Sequence, residues 1–271
     1  MQMPNIIYGT AWKKDLTASL VEEAIRQGFR GIDTACQPKH YHEAGVGEGI
    51  AASINKGLLT RTELYLQTKF TPFDGQDPAR IPYDPNAPLE VQVAQSFQTS
   101  LENLQTDYLD GLILHSPLSD PEKTYQVWQA MEYLVRNGGV KQIGISNCYD
   151  FATFENLYRF AEIKPAVIQN RFYANSGYDR RIRNFCREHG IIYQSFWTLT
   201  ANPHVLADSS VKKIAELYGR SPAQVFFRYL TQIDIVPLTG TTSVTHMKAD
   251  LALLDFELTA EECAEIDKLL L

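Results

Sequence analysis

Gly111-Leu112-Ile113-Leu114-His115-Ser116-Pro117 is an apolar run that ends on a histidine and is stopped by a proline. The chain repeats this plan. Gly31-Ile32-Asp33-Thr34 and Leu64-Tyr65-Leu66-Gln67-Thr68-Lys69 bring ionisable residues to the ends of short apolar runs. Gly144-Ile145-Ser146-Asn147 and Ala166-Val167-Ile168-Gln169-Asn170 finish on amides. Strands that deliver polar groups at their C-terminal ends are how a parallel barrel builds an active site.

Working outward, short β-type runs alternate with amphipathic helical patterns almost from end to end. Strands are predicted at 6–9, 31–34, 64–69, 111–115, 141–146, 166–170, 191–195 and 235–238. Eight strands, one per about 34 residues, predict an α/β fold: a (β/α)8 TIM barrel with residues 1–271 as a single domain. Leu89, Val93, Phe97, Leu101 and Leu104 form one helical stripe, and Leu16, Leu20, Ala24 and Ile25 another, with Gly28 as its left-handed stop. A helix through Tyr125, Trp128 and Met131 runs into Gly138-Gly139. Ser221-Pro222-Ala223-Gln224 and Thr259-x-x-Glu262 read as capping boxes.

Two loops are long for strand-to-helix links, at about 70–89 and 198–210. The first carries Pro72, Pro78, Pro82, Pro85 and Pro88, and its place after Lys69 suggests an active-site wall.

A net charge of -7 and a pI near 5.4 exclude the basic excess that a nucleic-acid or anionic-membrane surface requires. Cys36, Cys148, Cys186 and Cys263 lie far apart without C-x-x-C spacing, which reads as reduced thiols and no metal site. Met1-Gln2-Met3-Pro4-Asn5 lacks the pattern of a signal peptide, and no apolar run reaches the ~18 residues of a membrane span. The expectation is a soluble, cytoplasmic protein.

Asp33, Lys69 and His115 end the second, third and fourth strands, which are neighbours on a barrel rim. Tyr41, in the loop after Asp33, can hang over the same point. Carbonyl reduction needs this combination, because a proton donor must meet the developing alkoxide. A lysine cation about 4 Å from a tyrosine favours tyrosinate by up to ~4 kcal/mol at an effective dielectric of 20, roughly three pKa units. Asp33 would hold that lysine charged, and His115 would orient the carbonyl oxygen. Taken singly, each residue has a plainer reading: a helix cap, a lysine reaching solvent, a structural histidine. Their convergence on adjacent strand ends favours the functional one.

The chain resembles the aldo-keto reductases, (β/α)8 barrels that reduce carbonyls with NADPH. The motifs are Gly9-Thr10-Ala11-Trp12, Gly28-Phe29-Arg30-Gly31-Ile32-Asp33-Thr34-Ala35, Leu66-Gln67-Thr68-Lys69, Asp107 to His115, Gly144-Ile145-Ser146-Asn147 and Asp255-Phe256-Glu257-Leu258. The resemblance implies a tetrad of Asp33, Tyr41, Lys69 and His115, with Ser146, Asn147 and Gln169 hydrogen-bonding the nicotinamide carboxamide. It implies Phe196 against the nicotinamide face, Trp12 in the substrate pocket, a small-molecule carbonyl substrate and a monomer.

The chain also departs from the family pattern. Thr-Ala-Cys-Gln-Pro-Lys-His, longer than the usual spacing, separates Asp33 from Tyr41, and counting back from Val46-Gly47 without gaps puts His40 on the tyrosine's position. Tyr41 retains the donor chemistry; His40 stays as the alternative. Leu238 stands where many relatives carry a lysine for the 2′-phosphate, and His246 falls near their arginine. The turn Thr239-Gly240-Thr241-Thr242-Ser243 offers N–H groups and hydroxyls, and Lys248 a charge. NADPH is the expected cofactor, with NADH or dual use open. The chain ends one helix after Asp255-Phe256-Glu257-Leu258, and its N-terminal segment is short for a hairpin that plugs the barrel floor. An open pocket shaped by Trp12, Phe70, Phe73 and the proline-rich loop is expected. Gly45-Val46-Gly47-Glu48-Gly49-Ile50 only mimics a dinucleotide fingerprint and reads as helix.

Two other functions compete. One is a nucleotide-binding regulatory barrel with vestigial catalysis. The other is a Schiff-base enzyme using Lys69, which an adjacent Asp33 would disfavour by keeping the lysine protonated.

Overall fold

Eight parallel strands close on themselves in chain order: β1 (Ile7–Gly9), β2 (Gly31–Asp33), β3 (Tyr65–Phe70), β4 (Leu109–Leu114), β5 (Val140–Ser146), β6 (Val167–Arg171), β7 (Ile192–Phe196) and β8 (Ile235–Thr239). The β1–β8 register, Ile7 beside Leu238 and Tyr8 beside Thr239, completes the ring. The fold is therefore the expected (β/α)8 barrel. This computed structural model describes residues 3–270. Met1 and Gln2, which opened the N-terminal stretch read above, and the terminal Leu271 lie outside the described residues.

The helices are α1 (Thr17–Gln27), α2 (Glu43–Asn55), α3 (Leu89–Leu104), α4 (Pro121–Arg136), α5 (Phe151–Phe160) and α6 (Arg180–His189). They continue with α7 (Pro203–Ala207), α8 (Ser209–Tyr218), α9 (Pro222–Gln232), α10 (Val244–Leu251) and α11 (Ala260–Asp267). Both capping boxes form, at Ser221–Gln224 before α9 and at Thr259–Glu262 before α11. Gly28 ends α1 at φ 121°, a backbone conformation that only glycine adopts without strain. Leu16 departs from its expected stripe. It lies in the 3-10 turn before α1 and is exposed, and Val21, Ala24 and Ile25 supply the buried face.

The main apolar core lies between strands and helices, with Tyr8, Trp128, Phe154 and Phe226 among its largest members. Within the ring, polar side chains form a connected layer. Gln194 Nε2 donates to Gln67 Oε1 (2.9 Å), and Gln67 and Gln169 both donate to Gln194 Oε1 (2.8 Å each). Tyr65 Oη donates to Gln67 Oε1 at 3.1 Å and accepts from Gln142 Nε2 at 2.7 Å. Inward-facing side chains of a barrel stack in layers, and this polar layer is the platform for the site above it.

The proline-bearing loop differs from expectation. After β3 it makes a 3-10 turn at Phe73–Gly75, then packs down toward α3. Tyr83 Oη donates to Thr71 O (2.8 Å) and Gln76 Nε2 donates to Cys36 O (3.0 Å), which fasten the loop behind the β2–α2 connection.

Gly47 marks the tightest helix contact: a Cβ there would stand 2.0 Å from the Asn103 carbonyl oxygen at the end of α3. Gly47→Ala is expected to cost about 1–3 kcal/mol through overpacking. A lowered urea midpoint at unchanged slope would report it.

Candidate active site

Lys69 and Asp33 form a buried ion pair at the top of the barrel, 1% and 3% exposed. Lys69 Nζ donates to both carboxylate oxygens of Asp33 at 2.6 Å and to the Thr34 carbonyl at 2.8 Å. Its three ammonium protons are thereby used. Asp33 Oδ1 also accepts from Gln67 Nε2 (2.6 Å) and Gln169 Nε2 (3.0 Å), so the pair rests directly on the polar layer. Burial pulls the lysine pKa down, and the Asp33 carboxylate opposes that shift.

Tyr41 hangs over this pair from the turn before α2. Lys69 Nζ sits 5.3 Å from its ring centroid, and the His115 ring lies edge-on at 6.0 Å. Lys69 spends its hydrogen bonds on Asp33 and Thr34 rather than on the phenol. The phenol is accordingly not driven toward tyrosinate: burial first, then the charge of Asp33, pushes its pKa up. This reverses the expectation from the lysine alone.

His115 is the first residue beyond β4, its N–H donating to the Phe70 carbonyl at 2.9 Å. Its Nδ1 pairs with Thr71 Oγ1 at 2.6 Å. Burial, then the charges of Lys69 and His40, pushes its pKa down to about 3, so the imidazole is neutral. His40 also lines the cavity, but its ring packs on Trp12 with centroids 4.0 Å apart. Of the two candidates for the donor position, Tyr41 is the one whose ring packs beside both Lys69 Nζ and the His115 ring.

These groups open into a cavity of about 1050 Å³ at the C-terminal ends of the strands. Ser146, Asn147, Gln169 and Phe196 line it together. Ser146 Oγ donates to Gln169 O at 2.7 Å, and Asn147 Nδ2 donates to His115 O at 2.9 Å. Asn147 adopts φ 51°, a left-handed conformation that asparagine tolerates and that turns its amide back onto the rim. At the other end lie Thr239, Gly240 and Thr241 with Thr245, His246 and Asp250. Thr239 Oγ1 donates to Asp250 Oδ2 at 2.7 Å, and burial raises the Asp250 carboxyl to about 6.

Several expected site residues stand elsewhere. Thr242, Ser243 and Lys248 do not line the cavity; the Ser243 side chain caps α10, and Lys248 is exposed on its outer side. Phe70 is buried outside the ring against Tyr83, with centroids 5.6 Å apart, and Phe73 is exposed away from the cavity. The wall role expected for residues 70–89 is also absent, since none of them lines the cavity. That loop reaches the site only from behind, because Thr71 between β3 and Phe73 holds His115. Trp12 does line the cavity, at φ 65° and 59% exposed.

Sequence reasoning missed Lys13, Arg171, Trp197 and Glu43. Lys13 lines the cavity and donates to the Gly240 carbonyl. Its place directly after the Gly9–Trp12 motif was the available signal. Glu43, buried at the start of α2, accepts from Thr68 Oγ1 (2.5 Å), Ser100 Oγ (2.9 Å) and Asn103 Nδ2 (3.1 Å), which ties α2 to β3 and α3.

A parallel barrel with titratable and amide groups gathered at the C-terminal mouth of its strands belongs to the class of enzyme barrels. Comparison with known proteins narrows that class. The profile described as "Aldo/keto reductase family" matches residues 5–271. The chain belongs to the aldo-keto reductase family. It is 32% identical to the uncharacterised oxidoreductase YtbE of Bacillus subtilis over 92% of this chain and 82% of that protein. The same figures hold for the glyoxal reductase of Bacillus subtilis. Among solved structures, an aldo/keto reductase from Brucella melitensis superimposes with a TM-score of 0.82 at 27% identity, covering 98% of this chain and 95% of its own. A Bombyx mori aldo-keto reductase in complex with NADP gives 0.82 at 26% identity, covering 98% and 89%.

Asp33→Asn leaves the buried Lys69 without its counter-charge, and a loss of about 3–5 kcal/mol in urea unfolding is expected. The double variant Asp33→Asn/Lys69→Met should lose less than the sum of its two single changes. His115 adds a pH dependence. Its folded pKa lies below the unfolded value, so its contribution is fully present above about pH 6.5, declines as the unfolded chain takes up the proton, and is gone below about pH 3. His115→Gln should flatten the urea stability profile across that window.

Proposed function

We propose that the chain is an NAD(P)H-dependent carbonyl reductase, with NADPH as principal cofactor and weak discrimination against NADH. One observation carries the reading: Tyr41, His115 and the Lys69–Asp33 pair share one wall of a cavity whose adjoining arc is Ser146, Asn147, Gln169 and Phe196. The donor set suits a nicotinamide dinucleotide. Phe196 offers an aromatic face, the hydroxyl and amides suit a carboxamide, and Lys13 with the Gly240–Thr241 turn suits phosphates. When bound, that cofactor supplies the hydride.

The protein's own residues supply position and proton. Burial keeps the Tyr41 proton on its oxygen until negative charge develops on a carbonyl oxygen beside it. The tyrosinate left behind faces the Lys69 ammonium, which stabilises it. The Thr71 hydroxyl pairs with Nδ1, and in the tautomer where it donates there, neutral His115 keeps an N–H at Nε2 to orient the carbonyl. A Schiff base on Lys69 is disfavoured, since the ammonium is buried, paired with Asp33 and absent from the cavity lining. Weak cofactor discrimination follows from the far end of the cavity, where His246 and three threonines stand and Lys248 does not reach.

Loss of NADPH or NADH absorbance against an aldehyde panel tests the proposal, and Tyr41→Phe should lower kcat by about 10²–10⁴-fold. A rate retained in Tyr41→Phe and lost in His40→Ala would move the acid to His40. Nucleotide binding without turnover of any aldehyde would favour a regulatory barrel. With the Tyr41 phenol raised and His115 held near 3, neither group titrates in between, so kcat at saturating NADPH should be flat from about pH 7 to 9, above the range in which the cavity's Asp250 carboxyl, raised to about 6, takes up its proton.

A further inference from the structure

Arg171 is a charged side chain on the cavity wall to which the proposed reaction gives no role. It is the last residue of β6, beside Phe196 in register, and two residues beyond Gln169 on the same face of the strand. Its guanidinium stacks on Trp197 at 4.1 Å from the ring centroid and lies 5.3 Å from that of Tyr173. Nε is buried and finds no hydrogen-bond partner among the described residues. Salt bridges of the described residues engage Arg26, Arg61, Arg80, Arg136, Arg159 and Arg220, but not Arg171. A half-buried guanidinium without a carboxylate among the described residues, packed beside two aromatic rings, is an arginine kept ready for an anion.

Its position indicates which anion. The backbone N–H of Arg171 donates to Tyr149 Oη (3.1 Å), which donates to Asn147 Oδ1 (3.3 Å). Arg171 is thereby tied to the arc of Asn147 and Gln169. The turn suited to phosphates is at the end of β8, on the far side of β7, and already has Lys13. Among the described residues, the two carboxylates lining the cavity are engaged elsewhere, Asp33 by Lys69 and Asp250 by Thr239. Trp12 and Trp197 line the same cavity and stay 59% and 51% exposed, which leaves apolar surface for a substrate body.

We propose that Arg171 receives a carboxylate carried by the substrate, so that the preferred substrates are carbonyl acids with an apolar or aromatic body. This rests on the carbonyl-reductase reading. The planar fork of the guanidinium matches a carboxylate through two parallel N–H···O bonds, and its contact with Trp197 restrains its position.

The test compares 4-carboxybenzaldehyde with benzaldehyde in the wild type, Arg171→Gln and Arg171→Lys. Arg171→Gln should raise KM for 4-carboxybenzaldehyde by roughly 10–100-fold. That rise should exceed the rise for benzaldehyde at least about tenfold, with kcat affected less than KM. Arg171→Lys should recover part of the loss, since it restores charge without the fork. An equal rise for both aldehydes overturns the proposal. So does a rise confined to KM for NADPH, which would assign the guanidinium to the dinucleotide. Calorimetric titration of benzoate against benzamide reads the same contact without turnover. Benzoate binding that is lost in Arg171→Gln supports the site even if no aldehyde is reduced, and equal binding by both proteins sinks it.

Discussion

The ion pair between Lys69 and Asp33 constrains everything around it. Moving either charge out of water costs several kcal/mol, so such a pair persists only where each remaining hydrogen-bonding position is filled. Here the ammonium has two carboxylate oxygens and the Thr34 carbonyl, and the carboxylate has Gln67 and Gln169. Both glutamines are held in turn by Gln194. Four strands, β2, β3, β6 and β7, must meet in one register for these contacts to exist. A slip of one residue would turn each side chain to the other face of the sheet.

From that constraint follows the division of labour proposed above. Because Lys69 is satisfied by Asp33, it acts on Tyr41 as a nearby charge and not as a hydrogen-bond donor. The phenol then keeps its proton through burial, and His115 stays neutral for the same reason. The proline-bearing loop contributes indirectly. Its stiffness holds Thr71, and Thr71 fixes the imidazole.

Much of this was legible in the sequence. Gly, Pro and the apolar runs mark all eight strands, and Asp33, His115, Ser146, Asn147 and Gln169, read at the ends of four of them, line one cavity. Strand parity could also have been used further. Successive strand side chains point to opposite faces, so an inward Lys69 requires an outward Phe70, which is where the structure has it. The same parity, read from Gln169, predicts an inward Arg171. The loop at 70–89 was misread for another reason. Proline content specifies stiffness but carries no information on the direction in which a loop leaves the barrel.

Local sequence, then, determined the alternation of strands and helices, the capped helix ends and the polar residues at the strand termini, because these depend on periodicity and backbone preference within a few residues. Tertiary structure alone decided which charges are paired, which hydroxyl holds His115, which way the Tyr41 phenol shifts, and that Arg171 has no carboxylate partner among the described residues. Those outcomes depend on burial and on partners tens of residues away, which the chain acquires only when the barrel closes.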